Sequence, residues 1–262
     1  MKDLILFGGQ SNMQGQSECL ADNTSVPGAW EYRYLTDSLT PLCDPCGEDI
    51  RADGSAGYPY SPAASTWHAD NVLGSACDGH TTLLPSFCRA YIRSSPDHPE
   101  VTAVHAAKGA TDMTYWLPGT DGYRILTEKA RCAQRKTGEI RKSAMIWLQG
   151  ESDAILGVSS GDYCSMLSRF GHALRKDLGL TRFGIIRVGH FTGDEHDLAV
   201  MEAQDRLCRE DSFFVMLTRA AADFTAMPQY AAYRNPYVGG HYSAAGLARL
   251  GELAGEALAE QI

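Results

Sequence analysis

The sequence predicts a three-layer α/β/α fold, in which helices cover both faces of a central, parallel, five-stranded sheet. Short apolar runs alternate along the chain with longer segments of helical periodicity. Continuous apolar runs are typical of strands that are buried on both faces of a parallel sheet. Their alternation with amphipathic helices predicts right-handed crossovers. Residues 1–262 are expected to form one domain.

Each predicted strand is a short apolar run, and the first three end at turns of small residues. The predicted strands are 4–7, 101–107, 144–148, 183–188 and 213–217. Between them, apolar residues recur at the spacing of one helix face. The predicted helices are 123–135, 161–178, 195–209 and 243–262.

Residues 16–82 interrupt this alternation with a segment rich in glycine, proline, serine, aspartate and aromatic residues. A long segment without clear periodicity is usually functional or irregular. We expect an irregular insertion after the first strand that lies over the mouth of the site. Trp67, Tyr58 and Tyr60 would then be available to a substrate. The alternative is a solvated surface loop.

The composition is that of an ordinary soluble protein, with 44% hydrophobic and 21% charged residues. A formal net charge of −9 argues against nucleic acid or an anionic membrane as a partner. A neutral carbohydrate remains compatible with this charge. The apolar run at residues 4–7 is too short for a signal peptide. We therefore expect a cytoplasmic location, or secretion if a signal has been removed. Oligomeric state stays open.

Eight cysteines raise the question of disulfides or metal binding. Cys43 and Cys46 have the spacing of a metal-ligand or redox pair, but a structural zinc site normally needs a second pair. Cys77 and Cys88 are too far apart in sequence to supply that pair at the usual spacing. The pattern favours free thiols or a local disulfide over a metal site.

Polar residues follow the predicted strands at the edge where open α/β sheets bind ligands. Ser11 follows the first strand, Gly109 the second and Gln149 the third, while His241 precedes the last helix. A serine needs an adjacent base to become a nucleophile, and a tetrahedral oxyanion needs several donors. Each residue alone has an ordinary explanation as a cap, turn or packing residue. Their combination indicates a serine esterase, and the loop after the first strand lacks the phosphate-binding fingerprints.

Four sequence blocks together resemble the SGNH hydrolase superfamily, over residues 4 to about 258. The similarity is greatest to its sialate O-acetylesterase and acetyl xylan esterase branch, carbohydrate esterase family six. The blocks are GQSNMQG at 9–15, KGAT at 108–111 with Trp116, QGESD at 149–153, and HYSAAG at 241–246.

The resemblance implies a flavodoxin-like fold and an enzyme that removes acetyl groups from carbohydrates without a cofactor or metal. Ser11 would be the nucleophile, and His241 would act as general base and then as general acid. The oxyanion hole would consist of the backbone N–H groups of Ser11 and Gly109 and the side-chain amide of Gln149. Asn12 and Trp116 are expected to contact the substrate.

The sequence departs from the family pattern at two positions. Ala110 stands where the usual turn has a second glycine, which matters if that position requires a positive φ. Val238 stands where the superfamily commonly has the aspartate that orients the histidine. We expect Glu151 to replace that aspartate, since it should lie near Gln149. Asp153, Asp223 and a backbone carbonyl are the alternatives, and Glu151 could instead cap a helix or pair with an arginine.

Three other functions are compatible with parts of the sequence. The missing aspartate is compatible with an inactive carbohydrate-binding homologue. A carboxylesterase with a non-sugar acyl substrate would share the same catalytic pair, although it would usually have a wide apolar cleft. A purely structural role ranks last, because the chain has no repeat or coiled-coil pattern.

Overall fold

A seven-stranded sheet forms the centre of the fold, with helices on both faces. The computed structural model describes residues 2–18, 22–48, 73–74 and 80–261. The strands lie in the order β3-β2-β4-β1-β5-β6-β7. Their bounds are Lys2–Gly9 (β1), Ala29–Arg33 (β2), Ser38–Pro41 (β3), Glu100–Ala107 (β4), Ile140–Leu148 (β5), Arg182–Ile186 (β6) and Phe214–Thr218 (β7).

Nine α-helices connect or flank the strands in the described residues. They are Ser11–Gln14 (α1), Leu84–Ser94 (α2), Met113–Trp116 (α3), Asp121–Thr137 (α4), Glu151–Ile155 (α5), Ser160–Leu178 (α6), Glu195–Glu210 (α7), Ala220–Ala226 (α8) and Ala244–Ala259 (α9). A 3₁₀ helix covers Pro228–Tyr233. Within the described residues, no helix combines the length and apolar character needed to cross a membrane.

The predicted α/β/α architecture is confirmed, and the strand count is corrected from five to seven. The two additional strands, β2 and β3, come from the segment that was expected to be irregular. β2 pairs in parallel with β4, and β3 pairs with β2 in antiparallel orientation at the sheet edge. Both strands are short and contain polar residues, so they lack the continuous apolar run that identifies the central strands.

Parallel pairing brings the carboxyl ends of β1, β4 and β5 to one place. Gly9 pairs with Ala107 on one side and with Leu148 on the other. Gly9 has a φ of 145°, and a Cβ atom there would lie 1.9 Å from the carbonyl oxygen of Leu148. Only glycine fits this close approach. The loops that carry Ser11, Gly109 and Gln149 therefore leave the sheet as neighbours.

The described part of the long insertion is anchored to the body of the fold by a buried ion pair. Lys129 Nζ of α4 lies 2.9 Å from Glu48 Oε1, and both side chains are almost fully buried. Glu48 also accepts the N–H groups of Tyr34 and Leu35, and Lys129 donates to the carbonyl of Leu73. Because removing one partner leaves a buried charge unpaired, this pair fixes the insertion against α4.

Several sequence predictions fall on residues outside the described ranges. They concern Trp67, Tyr58, Tyr60 and Cys77. Cys43 and Cys46 are described, and both are free thiols. The Cys46 thiol donates to the carbonyl oxygen of Cys43. In the part of the chain that the structure describes, no group of three or more His, Cys, Asp or Glu side chains could hold a metal ion.

Candidate active site

Ser11 and His241 form a hydrogen-bonded pair at the carboxyl edge of the sheet. Ser11 is the first residue of α1, and Gln10 alone separates this helix from β1. His241 lies in the loop before α9. The distance between Ser11 Oγ and His241 Nε2 is 2.9 Å, although the two residues are 230 positions apart in the chain. This is the geometry in which an imidazole can take the proton of a serine hydroxyl.

A backbone carbonyl orients the His241 ring. Nδ1 of His241 lies 3.0 Å from the carbonyl oxygen of Gly239. A carbonyl oxygen can only accept, so Nδ1 carries the proton and Nε2 is left to accept from Ser11. The Gly239 carbonyl therefore takes the part that an aspartate at position 238 would play. Val238 itself is 45% exposed.

Glu151 does not contact the imidazole, which corrects the preferred sequence prediction. Its Oε1 atom accepts from Asn12 Nδ2 at 2.7 Å. The same Asn12 nitrogen donates to the carbonyl of Gly240 at 3.2 Å, and Asn12 Oδ1 accepts from the N–H of Tyr242. Glu151 thus acts through Asn12 on the two residues that flank His241. It is a positioning residue for the histidine loop.

The Glu151 carboxyl group is buried, and only one of its oxygens is hydrogen-bonded. Among the described residues, Oε2 has no hydrogen-bond partner. Burial raises the pKa of Glu151, while the hydrogen bond from Asn12 opposes this shift. A carboxyl group in this setting is suited to hold the amide of Asn12 and is poorly suited to carry a stabilising charge for an imidazolium.

Asn12 and Trp116 were expected to contact the substrate, and the structure buries both side chains. Asn12 is 1% exposed and Trp116 is completely buried. Trp116 packs edge-on against Trp147, with ring centroids 5.4 Å apart, and its Nε1–H donates to Thr111 Oγ1. Trp116 therefore stabilises the loop between β4 and α3 through its buried ring and its hydrogen bond to Thr111. Asn12 organises the histidine loop.

Gln149 also differs from its predicted place in the oxyanion hole. Its side chain is completely buried. Gln149 Nε2 donates to Asp153 Oδ2 and to the carbonyl of Thr111, and it lies 3.3 Å from Gln10 Oε1. Both amide hydrogens are therefore directed at protein acceptors. Burial raises the pKa of Asp153 to about 6, against the hydrogen bond from Gln149.

Gln10 is a residue at the site to which the sequence analysis gave no role. Its side-chain oxygen accepts from the N–H of Ser152 at 3.2 Å, on the side of Gln149. The Ser152 N–H can bond only to an acceptor, so the side-chain oxygen of Gln10 faces Ser152. The side-chain nitrogen of Gln10 therefore points away from Ser152. Gln10 lines the cavity beside Ser11. Its position between the strand-ending glycine and the serine was the signal that could have singled it out.

The loop after β4 supplies the third side of the site. Ala110 has a φ of 56°, so this position does adopt the left-handed conformation in which glycine is favoured. Ala110 therefore adopts the turn that a glycine would form at this position, at a cost in backbone strain. The N–H of the preceding Gly109 donates to Gln14 Oε1 at 2.8 Å.

An open cavity of about 470 Å³ lies over Ser11 and His241. One part of its wall is polar and consists of Gln14, Gln16 and Lys108. The wall also contains Ile155, which is 60% exposed, and Phe191. The Phe191 ring is edge-on to His241, with ring centroids 6.0 Å apart. The cavity therefore offers both an apolar ring next to the base and polar side chains.

The fold and the Ser–His pair at the carboxyl edge of its sheet define an SGNH-type hydrolase. The family model described as "carbohydrate esterase, sialic acid-specific acetylesterase" matches residues 1–258. The chain belongs to this family of carbohydrate esterases, as the sequence blocks predicted.

Individual relatives agree with this assignment. An Arabidopsis thaliana protein described as a probable carbohydrate esterase is 28% identical over 202 residues, covering 77% of this chain and 74% of its own. The X-ray structure of the protein from the same Arabidopsis locus has a TM-score of 0.64 at 20% identity, with 99% of both chains covered.

Two further solved structures share the fold. NanS has a TM-score of 0.66 at 15% identity and covers 99% of this chain and 95% of its own. A carbohydrate acetylesterase from Xanthomonas citri has a TM-score of 0.55 at 14% identity, covering 98% of this chain and 56% of its own.

Proposed function

We propose that this protein hydrolyses O-acetyl esters of carbohydrates through an acetyl-enzyme intermediate on Ser11. The observation that carries the proposal is the 2.9 Å contact between Ser11 Oγ and His241 Nε2 at the floor of an open cavity. The membership in a carbohydrate esterase family supports the reaction class.

In the acylation step, His241 Nε2 removes the proton from Ser11 Oγ as this oxygen attacks the acetyl carbonyl carbon. The resulting tetrahedral intermediate carries its negative charge on the former carbonyl oxygen. The N–H of Ser11 is among the first N–H groups of α1, which have no partner within the helix, and it is available to this oxygen. The intermediate collapses as the imidazolium gives its proton to the leaving sugar oxygen.

In the deacylation step, the same atoms act on water. His241 removes a proton from a water molecule, which attacks the acetyl carbon of acetyl-Ser11. The second tetrahedral intermediate then releases acetate, and the proton returns to Ser11 Oγ. The hydrogen bond from Nδ1 to the Gly239 carbonyl keeps the ring in one tautomer throughout both steps.

The cavity wall supports a sugar as the leaving group. Phe191 lies beside His241, where the leaving oxygen must receive its proton, and its ring can pack against the apolar face of a sugar. Lys108 places a cationic side chain at the cavity of a chain whose net charge is −9. Together with the family description, this favours an acetylated sugar that carries a carboxylate over neutral acetylated xylan.

The deciding experiment compares wild type, Ser11→Ala and His241→Ala on 4-nitrophenyl acetate. We expect both variants to lose at least about 10³-fold in kcat/KM, because either half of a nucleophile–base pair is ineffective alone. Ser212→Ala, which changes an exposed serine far from the site, is the matched control. Intact-mass spectrometry after a short incubation should show one acetyl group on wild type and none on Ser11→Ala.

Other outcomes would point to the alternative functions. Hydrolysis that persists in Ser11→Ala would place the nucleophile elsewhere. Sugar binding without turnover by wild type would favour an inactive carbohydrate-binding homologue. Faster hydrolysis of an octanoyl than of an acetyl ester would favour a non-sugar carboxylesterase. Acetate release from acetylated sialic acid and from acetylated xylose, measured side by side, tests the choice of sugar.

A further inference from the structure

The N–H of Gly109 is the oxyanion donor that the family pattern predicts, and in this structure another group already occupies it. Gln14 Oε1 accepts from the Gly109 N–H at 2.8 Å. We propose that the Gln14 side chain fills the oxyanion position of the free enzyme, and that the acetyl carbonyl must displace it before reaction. This inference rests on the proposed function of Ser11 and His241.

The contacts around Gly109 show why the two oxygens exclude each other. A Cβ atom built on Gly109 would lie 3.1 Å from Gln14 Oε1 and 3.7 Å from Ser11 Cβ. The amide oxygen therefore lies against the same glycine that borders the nucleophile. A substrate carbonyl placed over Ser11 and bonded to the Gly109 N–H would overlap with it. Gln14 lines the cavity, so it is in the path of the substrate.

The side-chain oxygen of Gln14 occupies the proposed position of the oxyanion, but it carries no net charge. A neutral amide oxygen gains only about 1 kcal/mol from such a hydrogen bond in water-exposed protein. An oxyanion forms charge-assisted hydrogen bonds that are about twice as strong. The cost of displacing Gln14 is the same for the neutral ester and for the transition state, because both need the Gly109 N–H. The contact acts against ground-state binding and raises KM.

The side chain of Gln14 can leave without a change in the backbone. Gln14 is the last residue of the four-residue helix α1, and the N–H of the following Gly15 bonds to the carbonyl of Ser11. This cap holds the turn that contains the nucleophile. In the proposed displacement, the Gln14 side chain turns about its own torsions at the cavity wall and breaks its contact with the Gly109 N–H.

The test uses Gln14→Ala and Gln14→Glu in the full chain, with 4-nitrophenyl acetate as substrate. Gln14→Ala removes the competing oxygen, and we expect kcat/KM to rise about threefold to tenfold, mainly through a lower KM. Gln14→Glu places a carboxylate at the same N–H. Its kcat/KM relative to wild type should fall at least about 100-fold near pH 8 and recover as the pH approaches the ordinary glutamate range.

A readout that does not require turnover is the affinity for methylboronic acid, which forms a tetrahedral adduct with an active serine. Gln14→Ala should bind this probe about threefold to tenfold more tightly than wild type. Gln229→Ala, at an exposed position away from the cavity, should match wild type in both assays.

Two results would overturn the proposal. One is a lower kcat in Gln14→Ala with equal boronate affinity, which would mean that Gln14 supports the loop at Gly109 and does not compete with substrate. The other is a Gln14→Glu variant as active as wild type at every pH. If wild type shows neither Ser11-dependent hydrolysis nor boronate binding, the proposed function fails and this inference fails with it. If wild type is active and only the Gln14 variants depart from expectation, the inference about Gln14 fails alone.

Discussion

The imidazole Nδ1 of His241 lies 3.0 Å from the carbonyl oxygen of Gly239. The loop that contains both residues is closed by its own hydrogen bonds. Asn235 Oδ1 accepts from the N–H groups of Tyr237 and Val238, and the N–H of Asn235 donates to the carbonyl of His241. The loop therefore fixes the Gly239 carbonyl as an acceptor, and the histidine is oriented without a carboxylate.

The first prediction concerns the residue at the position of the missing aspartate. In Val238→Asp, a carboxylate can replace or supplement the Gly239 carbonyl at Nδ1, and a charge-assisted hydrogen bond favours the imidazolium. We expect the acid limb of the kcat/KM profile to move to higher pH, with a gain in kcat of less than about tenfold. Val238→Asn, which adds no charge, is the control. A gain of about 10³-fold or more would show that the Gly239 carbonyl does not orient the ring.

The second prediction separates the positioning role of Glu151 from an electrostatic role. Gln at position 151 can still accept from Asn12 through Oε1 while losing the negative charge. We expect Glu151→Gln to retain kcat within about threefold, and Glu151→Ala to lose about tenfold or more because the buried Asn12 amide is left unpaired.

The same two variants would behave alike if Glu151 had an electrostatic role. A carboxylate that stabilised the imidazolium would make Glu151→Gln as inactive as Glu151→Ala and would lower the acid-limb pKa in both. Thermal unfolding of each variant, measured alongside kcat, checks that the loss of activity in Glu151→Ala exceeds what partial unfolding accounts for.

The third prediction contrasts two aromatic residues. Phe191→Leu keeps apolar volume next to His241 but removes the flat ring, so KM for an acetylated sugar should rise about threefold to tenfold. The kcat for 4-nitrophenyl acetate should stay within about twofold. Trp116→Phe removes the hydrogen bond to Thr111 and part of a buried ring, so it should lower Tm and leave KM for the sugar unchanged. A larger KM effect from Trp116→Phe would contradict its assignment as a scaffold residue.

The fourth prediction concerns the pH dependence of stability. Burial raises the pKa of Glu31 to about 7, although Arg33 and Lys129 oppose the shift. The unfolded chain loses the Glu31 proton near 4.5, so the folded chain holds more protons between these values. The free energy of unfolding should therefore fall as the pH rises from about 4.5 to about 7, by up to about 3 kcal/mol from this group.

Urea unfolding of wild type and Glu31→Gln at both ends of this pH range measures the contribution. The difference between the two pH values should be smaller in Glu31→Gln, whatever its absolute stability. Asp44, whose pKa burial raises to about 6, contributes with the same sign in both proteins. Glu139→Gln, which removes an exposed carboxyl group, should behave as wild type. Equal pH dependence in wild type and Glu31→Gln would contradict the prediction.

The sequence predicted the central strands and the residues at their ends because those signals are local. The apolar runs of β1, β4 and β5 are continuous, and each is followed by small residues that a tight strand-end turn requires. Ser11 and His241 were singled out by such local blocks, and the structure brings them into contact. β2 and β3 were missed because both are short and contain polar residues, so neither forms a continuous apolar run.

The sequence by itself thus determined the α/β/α fold class and the pairing of a serine with a histidine at one sheet edge. Only the tertiary structure decided which groups surround that pair. Asn12 meets Glu151 across 139 positions of chain and Gly240 across 228. Such contacts depend on how loops pack after the sheet has formed. The same packing buries Gln149, which the family resemblance placed in the oxyanion hole, and Trp116, which was expected to contact the substrate.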